Sequence, residues 1–148
     1  MSSFSRIWLH MVFVTKHRSP MINIESEKLI YDFMREKLQE IECVPLNING
    51  MPDHIHLLFL QNHKMSPADI GQRIKGSCSH WINSNRILPD KFQWADSFSV
   101  FSVSDALVGR TRNYIELQKR HHTKITFQQE CDQLLKDHEE TVRKYTID

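Results

Sequence analysis

Hydrophobic positions along the 148-residue chain change period several times, and each change marks an element. Residues 5–16 are dense in β-branched and aromatic side chains (Ile7, Trp8, Val12, Phe13, Val14). They predict a long central strand running into a basic turn at 16–20. Leu29, Ile30, Phe33, Met34, Leu38 and Ile41 recur at helical spacing, which predicts an amphipathic helix over 26–42. A second strand over 44–51 and a third over 53–60 have only the turn at Pro52 and Asp53 between them, which predicts a hairpin. Ser66 then Pro67 opens the next helix, the hydroxyl suited to capping it and the proline to its first position. Ile70, Ile74, Cys78, Trp81 and Ile82 carry that helix to about Asn83. Residues 98–103 alternate and predict a fourth strand; a helix over 104–122 and a last one over 126–138 follow.

The order strand, helix, strand, strand, helix, strand, helix predicts one α+β domain over residues 1–148. Its expected form is a ferredoxin-like or RRM-like four-stranded antiparallel sheet with helices packed on one face. In such a sheet the third strand is central, and its face away from the helices is open to a ligand.

That third strand carries the chain's most unusual pattern, Asp53-His54-Ile55-His56-Leu57-Leu58-Phe59-Leu60. Residues two apart on a strand point the same way, so His54 and His56 share a face and are spaced to hold one metal ion. The other reading is a pair of hydrogen-bonded polar groups at a sheet edge. A histidine-triad nucleotide hydrolase needs a third histidine at the next alternate position, which is Leu58. No cysteine pair completes a structural zinc site. A second cluster lies on the late helix, where Tyr114 and Gln118 are four apart and share a face, with His121 and His122 one turn on. By itself this tyrosine is either a half-buried packing residue or a reactive hydroxyl.

Composition narrows the setting. The chain is 40% hydrophobic and 25% charged, ordinary for a soluble globular protein. Its N-terminus lacks a signal-peptide pattern and no apolar run is long enough to span a membrane, so a cytoplasmic protein is expected. Cys43, Cys78 and Cys131 are odd in number and far apart, which fits reduced thiols. Net charge is only +1, but Arg110, Arg112, Lys119, Arg120 and Lys124 cluster with His121 and His122 between positions 105 and 125. Such a helix can contact phosphates, or it can be a solvated face.

The run 52–58, Pro-Asp-His-Ile-His-Leu-Leu, followed about sixty residues later by Tyr114-Ile115-Glu116-Leu117-Gln118, resembles two motifs of one family. These are the His-hydrophobic-His motif and the tyrosine motif of the single-tyrosine transposases of IS200/IS605 insertion sequences and their REP-associated relatives. Val14-Thr15-Lys16-His17-Arg18, Ile74-Lys75-Gly76-Ser77, Phe101-Ser102-Val103-Ser104 and Phe127-Gln128-Gln129-Glu130 resemble further pieces of that family in the same order. A glycine expected near Ser99 is missing. The resemblance implies metal-dependent cleavage and rejoining of single-stranded DNA at hairpin-bearing element ends, with Tyr114 as the nucleophile that takes the 5′ phosphate. It implies a divalent ion, Mg2+ or Mn2+, held by His54, His56 and Gln118. It also implies a homodimer, in which the tyrosine helix of one subunit can complete the other's site and Gly109 is either a hinge or a relaxed helix start. Lys16, Arg18, Lys75, Arg110, Arg112, Lys119 and Arg120 are the candidate DNA-phosphate contacts, and such a protein would be nucleoid-associated while bound to DNA. The alternatives are a domesticated or inactive hairpin-DNA-binding protein of the same fold and a metal-dependent hydrolase of small phosphoesters.

Overall fold

The computed structural model describes residues 4–145, with side chains described as far as position 137. The chain divides into two compact units at the junction of Glu116 and Leu117. The first unit contains β1 (Trp8–Val14), α1 (Glu27–Glu40), β2 (Val44–Met51), β3 (His54–Leu60), α2 (Pro67–Ser84), β4 (Ser99–Val103) and α3 (Val108–Glu116). The second contains α4 (Gln118–His121) and α5 (Phe127–Tyr145). Among the described residues no helix is long and apolar enough to cross a membrane.

The four strands form one antiparallel sheet in the order β2-β3-β1-β4, so β3 and β1 are central as expected. Cross-strand partners point to the same face, which lets the register sort the side chains. Leu9, Met11 and Phe13 of β1 and Ile55, Leu57 and Phe59 of β3 face one way. There they pack into a single core with the buried faces of α1 and α2. Val12 pairs with His56 and Val14 with His54, so the histidines face the other way. That second face receives α3 above β2, where Asn47 donates to the Arg112 carbonyl at 3.1 Å.

Local signals explain the element ends. Ser66 Oγ accepts from the Asp69 backbone N–H at 3.0 Å, and Pro67 occupies the first turn of α2. After α1, Glu42 takes a left-handed conformation at φ 62°, which stops the helix. The helix expected over 104–122 is interrupted. It begins as a 3-10 turn over Asp105–Leu107, continues as α3 and breaks at Leu117 (φ −95°, ψ 16°) before α4. Leu117 is exposed, so its hydrophobicity continued the helical pattern without a buried face to hold it. Gly109 lies in the first turn of α3 without a positive φ, and a Cβ there meets nothing.

One glycine is required by close approach. Gly50 pairs with Ile55 in the hairpin, and a Cβ at Gly50 would lie 2.1 Å from the His54 carbonyl oxygen and 2.8 Å from the Ile55 Cα. Both obstacles are backbone, so the strands themselves would have to separate. Gly50→Ala is expected to destabilise the fold by about 1–3 kcal/mol. Urea unfolding monitored by circular dichroism checks this; a midpoint equal to that of the parent chain contradicts it.

Candidate active site on the histidine face of the sheet

A strand with one face in the core normally carries solvated or apolar residues on the other, yet three buried histidines meet on this face. His54 and His56 come from β3 and His10 from the neighbouring strand β1. The His54 and His56 rings lie 5.2 Å apart, inclined at 77°. His10 stacks on His56 at 5.0 Å, and its Nε2 lies 2.8 Å from His56 Nδ1, a hydrogen bond in which one ring donates and the other accepts.

His54 is held from the opposite direction. Its Nδ1 lies 2.7 Å from Asp53 Oδ1. Burial raises the Asp53 carboxyl pKa. The hydrogen bond and the charge of His54 outweigh that effect, Arg18 adds a smaller pull, and the net shift is downward. Asp53 is therefore an anion at neutral pH and accepts the Nδ1 proton. A carboxylate or second acceptor on one ring nitrogen is how metal-ligating histidines have their tautomer and orientation set. Both Nδ1 atoms are engaged this way, and imidazole nitrogens are donors of a kind that suits a divalent ion.

Tyr114 of α3 reaches the same face. Its ring stands edge-on to His56 at 5.7 Å and to His10 at 6.4 Å. The contrast with Tyr31 is instructive. The Tyr31 hydroxyl sits 3.2 Å from Glu27 Oε2, and burial, then the Glu27 charge, push it above the ordinary phenol range. Tyr31 is a core residue with its proton locked on; Tyr114 is half-buried beside the imidazoles of His10 and His56.

Gln118 lies beyond the break, in the second unit. There its Nε2 donates to Glu130 Oε2 at 3.0 Å, and His122 Nε2 lies 3.2 Å from the same oxygen. A carboxylate can only accept, so the amide nitrogen of Gln118 must face Glu130 and its oxygen must point the other way. His10 and the orienting roles of Asp53 and Glu130 were missed from the sequence. The signal for His10 was present, a lone polar residue at an alternate position of an apolar strand, but its partner is 46 residues away.

The candidate phosphate contacts fall in different places. Lys16 and Arg18 lie on the short turn after β1, where His17 (φ 59°) and Arg18 (φ 55°) are both left-handed. Arg110 is exposed on α3, and Arg112 pairs with Glu116 one turn on at 3.2 Å. Lys119 and Arg120 belong to α4 of the second unit. Lys75 is set apart from the others. It sits on α2, which packs on the core face of the sheet away from the histidines. Its Nζ donates to the Ala95 carbonyl at 2.6 Å and lies over the Phe98 ring. Burial lowers its pKa, partly offset by Asp96.

Comparisons with known proteins agree with this architecture. The family model for IS200-like transposases matches residues 3–118. The ISDra2 transposase TnpA of Deinococcus radiodurans is 24% identical over 114 residues, covering 74% of this chain and 81% of that protein. A crystal structure assigned to a transposase of Deinococcus radiodurans R1 superposes with a TM-score of 0.63 at 22% identity, covering 80% of this chain and 95% of that one. A REP-associated tyrosine transposase bound to a REP hairpin superposes with a TM-score of 0.63 at 12% identity, covering 84% of this chain and 76% of that one. At these identities the two structural likenesses carry the fold.

The surroundings of Lys75 generate a prediction. Lys75→Met is expected to cost about 1 kcal/mol through the lost hydrogen bond and to leave the salt dependence of oligonucleotide binding unchanged. A phosphate contact would instead reduce the slope of log affinity against log salt by about 0.7. Fluorescence anisotropy over a salt series separates the two.

Proposed function

Because the chain belongs to the family of IS200-like transposases, we propose that it cleaves and rejoins single-stranded DNA through a covalent bond between Tyr114 and a 5′ phosphate. The observation that carries this reading is the 5.7 Å approach of the Tyr114 ring to His56, on the face where His10, His54 and His56 converge. A non-catalytic hairpin binder has no use for a phenol beside the imidazoles of His10 and His56, and a hydrolase that activates water has no use for the phenol.

The chemistry follows from the groups. The Tyr114 oxygen attacks the scissile phosphorus, its O–P bond forms as the P–O3′ bond breaks, and the 3′ oxygen leaves and is protonated. The phenolic proton is lost to solvent. One phosphodiester replaces another, so the bond energy is retained and a 3′ hydroxyl can reverse the step to rejoin strands without a nucleoside triphosphate. His54 and His56 would hold the divalent ion, Mg2+ or Mn2+. When bound, it stabilises charge developing on the phosphate oxygens. Asp53 and His10 keep the two ligating rings from turning. Lys16, Arg18, Arg110, Arg112, Lys119 and Arg120 remain the proposed contacts to the DNA backbone. The Arg112–Glu116 pair is exposed and worth no more than about 1 kcal/mol, so it opens readily for a phosphate. The neighbour that carries a REP hairpin supports hairpin-bearing single strands as the substrate class.

Incubation with single-stranded hairpin oligonucleotides and Mn2+ is expected to give a covalent protein–DNA adduct on a denaturing gel. Tyr114→Phe removes the adduct while oligonucleotide affinity persists, and chelation of the metal has the same effect until Mn2+ is restored. Adduct formation by Tyr114→Phe defeats the reading. Hairpin binding without any adduct from the parent chain favours the hairpin-binder alternative.

Metal affinity is a second check. Asp53→Asn and His10→Phe are each expected to weaken Mn2+ binding about 10- to 100-fold by freeing a ligating ring to rotate. Isothermal titration gives the constants; unchanged affinity in both variants removes the orienting role of Asp53 and His10.

A further inference from the structure

Strand β2 carries two asparagines, Asn47 and Asn49, two residues apart on the face shared with the histidines. Asparagine is depleted in strands because it neither packs well nor favours extended backbone. Here both side chains are spent on one object, the C-terminal half of α3. Asn47 Nδ2 donates to the Arg112 carbonyl at 3.1 Å, and Asn49 Nδ2 donates to the Ile115 and Glu116 carbonyls at 3.0 and 3.2 Å. The carbonyls of a last helical turn lack partners within the helix and carry its negative end. Amide donors suit them. Two of these three carbonyls, those of Ile115 and Glu116, belong to the final two residues of α3, immediately before the break at Leu117.

We propose that Asn47 and Asn49 are positioning residues that latch the tyrosine helix to the sheet of its own chain and set the rotation at which Tyr114 meets the histidines. Tyr114 lies between the held carbonyls of Arg112 and Ile115. Each residue of a helix advances 1.5 Å and turns 100°, so a one-residue slip of α3 would swing the phenol off this face. The register places Asn49 directly across from His56. One cross-strand pair therefore carries both a proposed metal ligand and the clamp on the nucleophile's helix, and strand pairing ties the two distances together. Buried Ile115 supplies the apolar contact that draws the helix down, but an apolar contact is non-directional; the amide donors supply the phase. The inference rests on the assignment of Tyr114 as nucleophile.

The test uses the full chain with hairpin oligonucleotide and Mn2+, measuring the adduct-forming rate at saturating DNA, the DNA dissociation constant, Mn2+ affinity and the melting temperature. Asn49→Ala is expected to slow adduct formation about 10- to 100-fold, the scale of a misplaced reacting group, with DNA and Mn2+ affinities within twofold of the parent. Asn49→Asp is expected to be slower still, because a carboxylate repels the carbonyls it faces. Leu38→Ala, in the core between α1 and the sheet, serves as the stability control and is expected to lower the melting temperature without slowing the adduct at a temperature where it is folded. Parent-like rates in folded Asn47→Ala/Asn49→Ala overturn the latch. So does a loss of rate in Leu38→Ala equal to that in Asn49→Ala at matched melting temperatures, since stability alone would then account for it. Tyr114→Phe is run in parallel. If it forms the adduct, the nucleophile assignment fails and the latch with it; if it does not while the asparagine variants react normally, the latch alone fails.

Discussion

The antiparallel register of β1 against β3 is the constraint on which this protein depends. Val12 opposite His56 and Val14 opposite His54 put every second residue of both strands into the core and send the histidines to the other face. A slip of one residue would exchange the two sets, driving imidazoles among Phe13, Ile55 and Phe59 and turning those side chains out to water. The cost of burying unpaired imidazoles and exposing large apolar groups falls on the same register error, so core formation and site formation are one event.

Within that frame the site is built by pairs of groups that restrain each other. Asp53 is kept ionised by His54 despite its burial, and in return holds His54 in one tautomer. His10 restrains His56 in a similar way, through the 2.8 Å contact of its Nε2 with His56 Nδ1. In the second unit Glu130 orients Gln118 by the same logic. These arrangements place the polar groups in hydrogen bonds of defined direction, where solvated versions would rotate. A rotating ligand binds a metal weakly; a ring pinned at one nitrogen presents the other at a fixed angle.

Much of this was legible in the sequence and the rest had physical reasons for being hidden. Period-two and period-3.6 patterns located all four strands and the first two helices, since those patterns are direct consequences of having one buried face. The His54/His56 pair stood out because polar groups at alternate positions in an apolar strand have no packing motive. His10 obeyed the same rule but stood alone, and only strand pairing made it a neighbour of His56. The break at Leu117 was invisible because Leu117 continues the hydrophobic pattern while its side chain is exposed. The hydrogen bonds of Asn47 and Asn49 to α3 span more than sixty residues of sequence, and the bond from Lys75 to the Ala95 carbonyl is a tertiary event of the same sort.

The two-residue turn at Pro52 and Asp53 has a consequence for how this chain can drift over generations. Surface hairpin turns ordinarily absorb insertions and deletions more readily than the strands they join. Here the Asp53 carbonyl accepts from both the backbone and the hydroxyl of Thr15, and its carboxylate holds His54. Any change in turn length would shift the carboxylate off the ring and release the end of β1 at once. The usual ranking of tolerance is therefore inverted: a solvent-side loop should vary less in length than the helices that line the core.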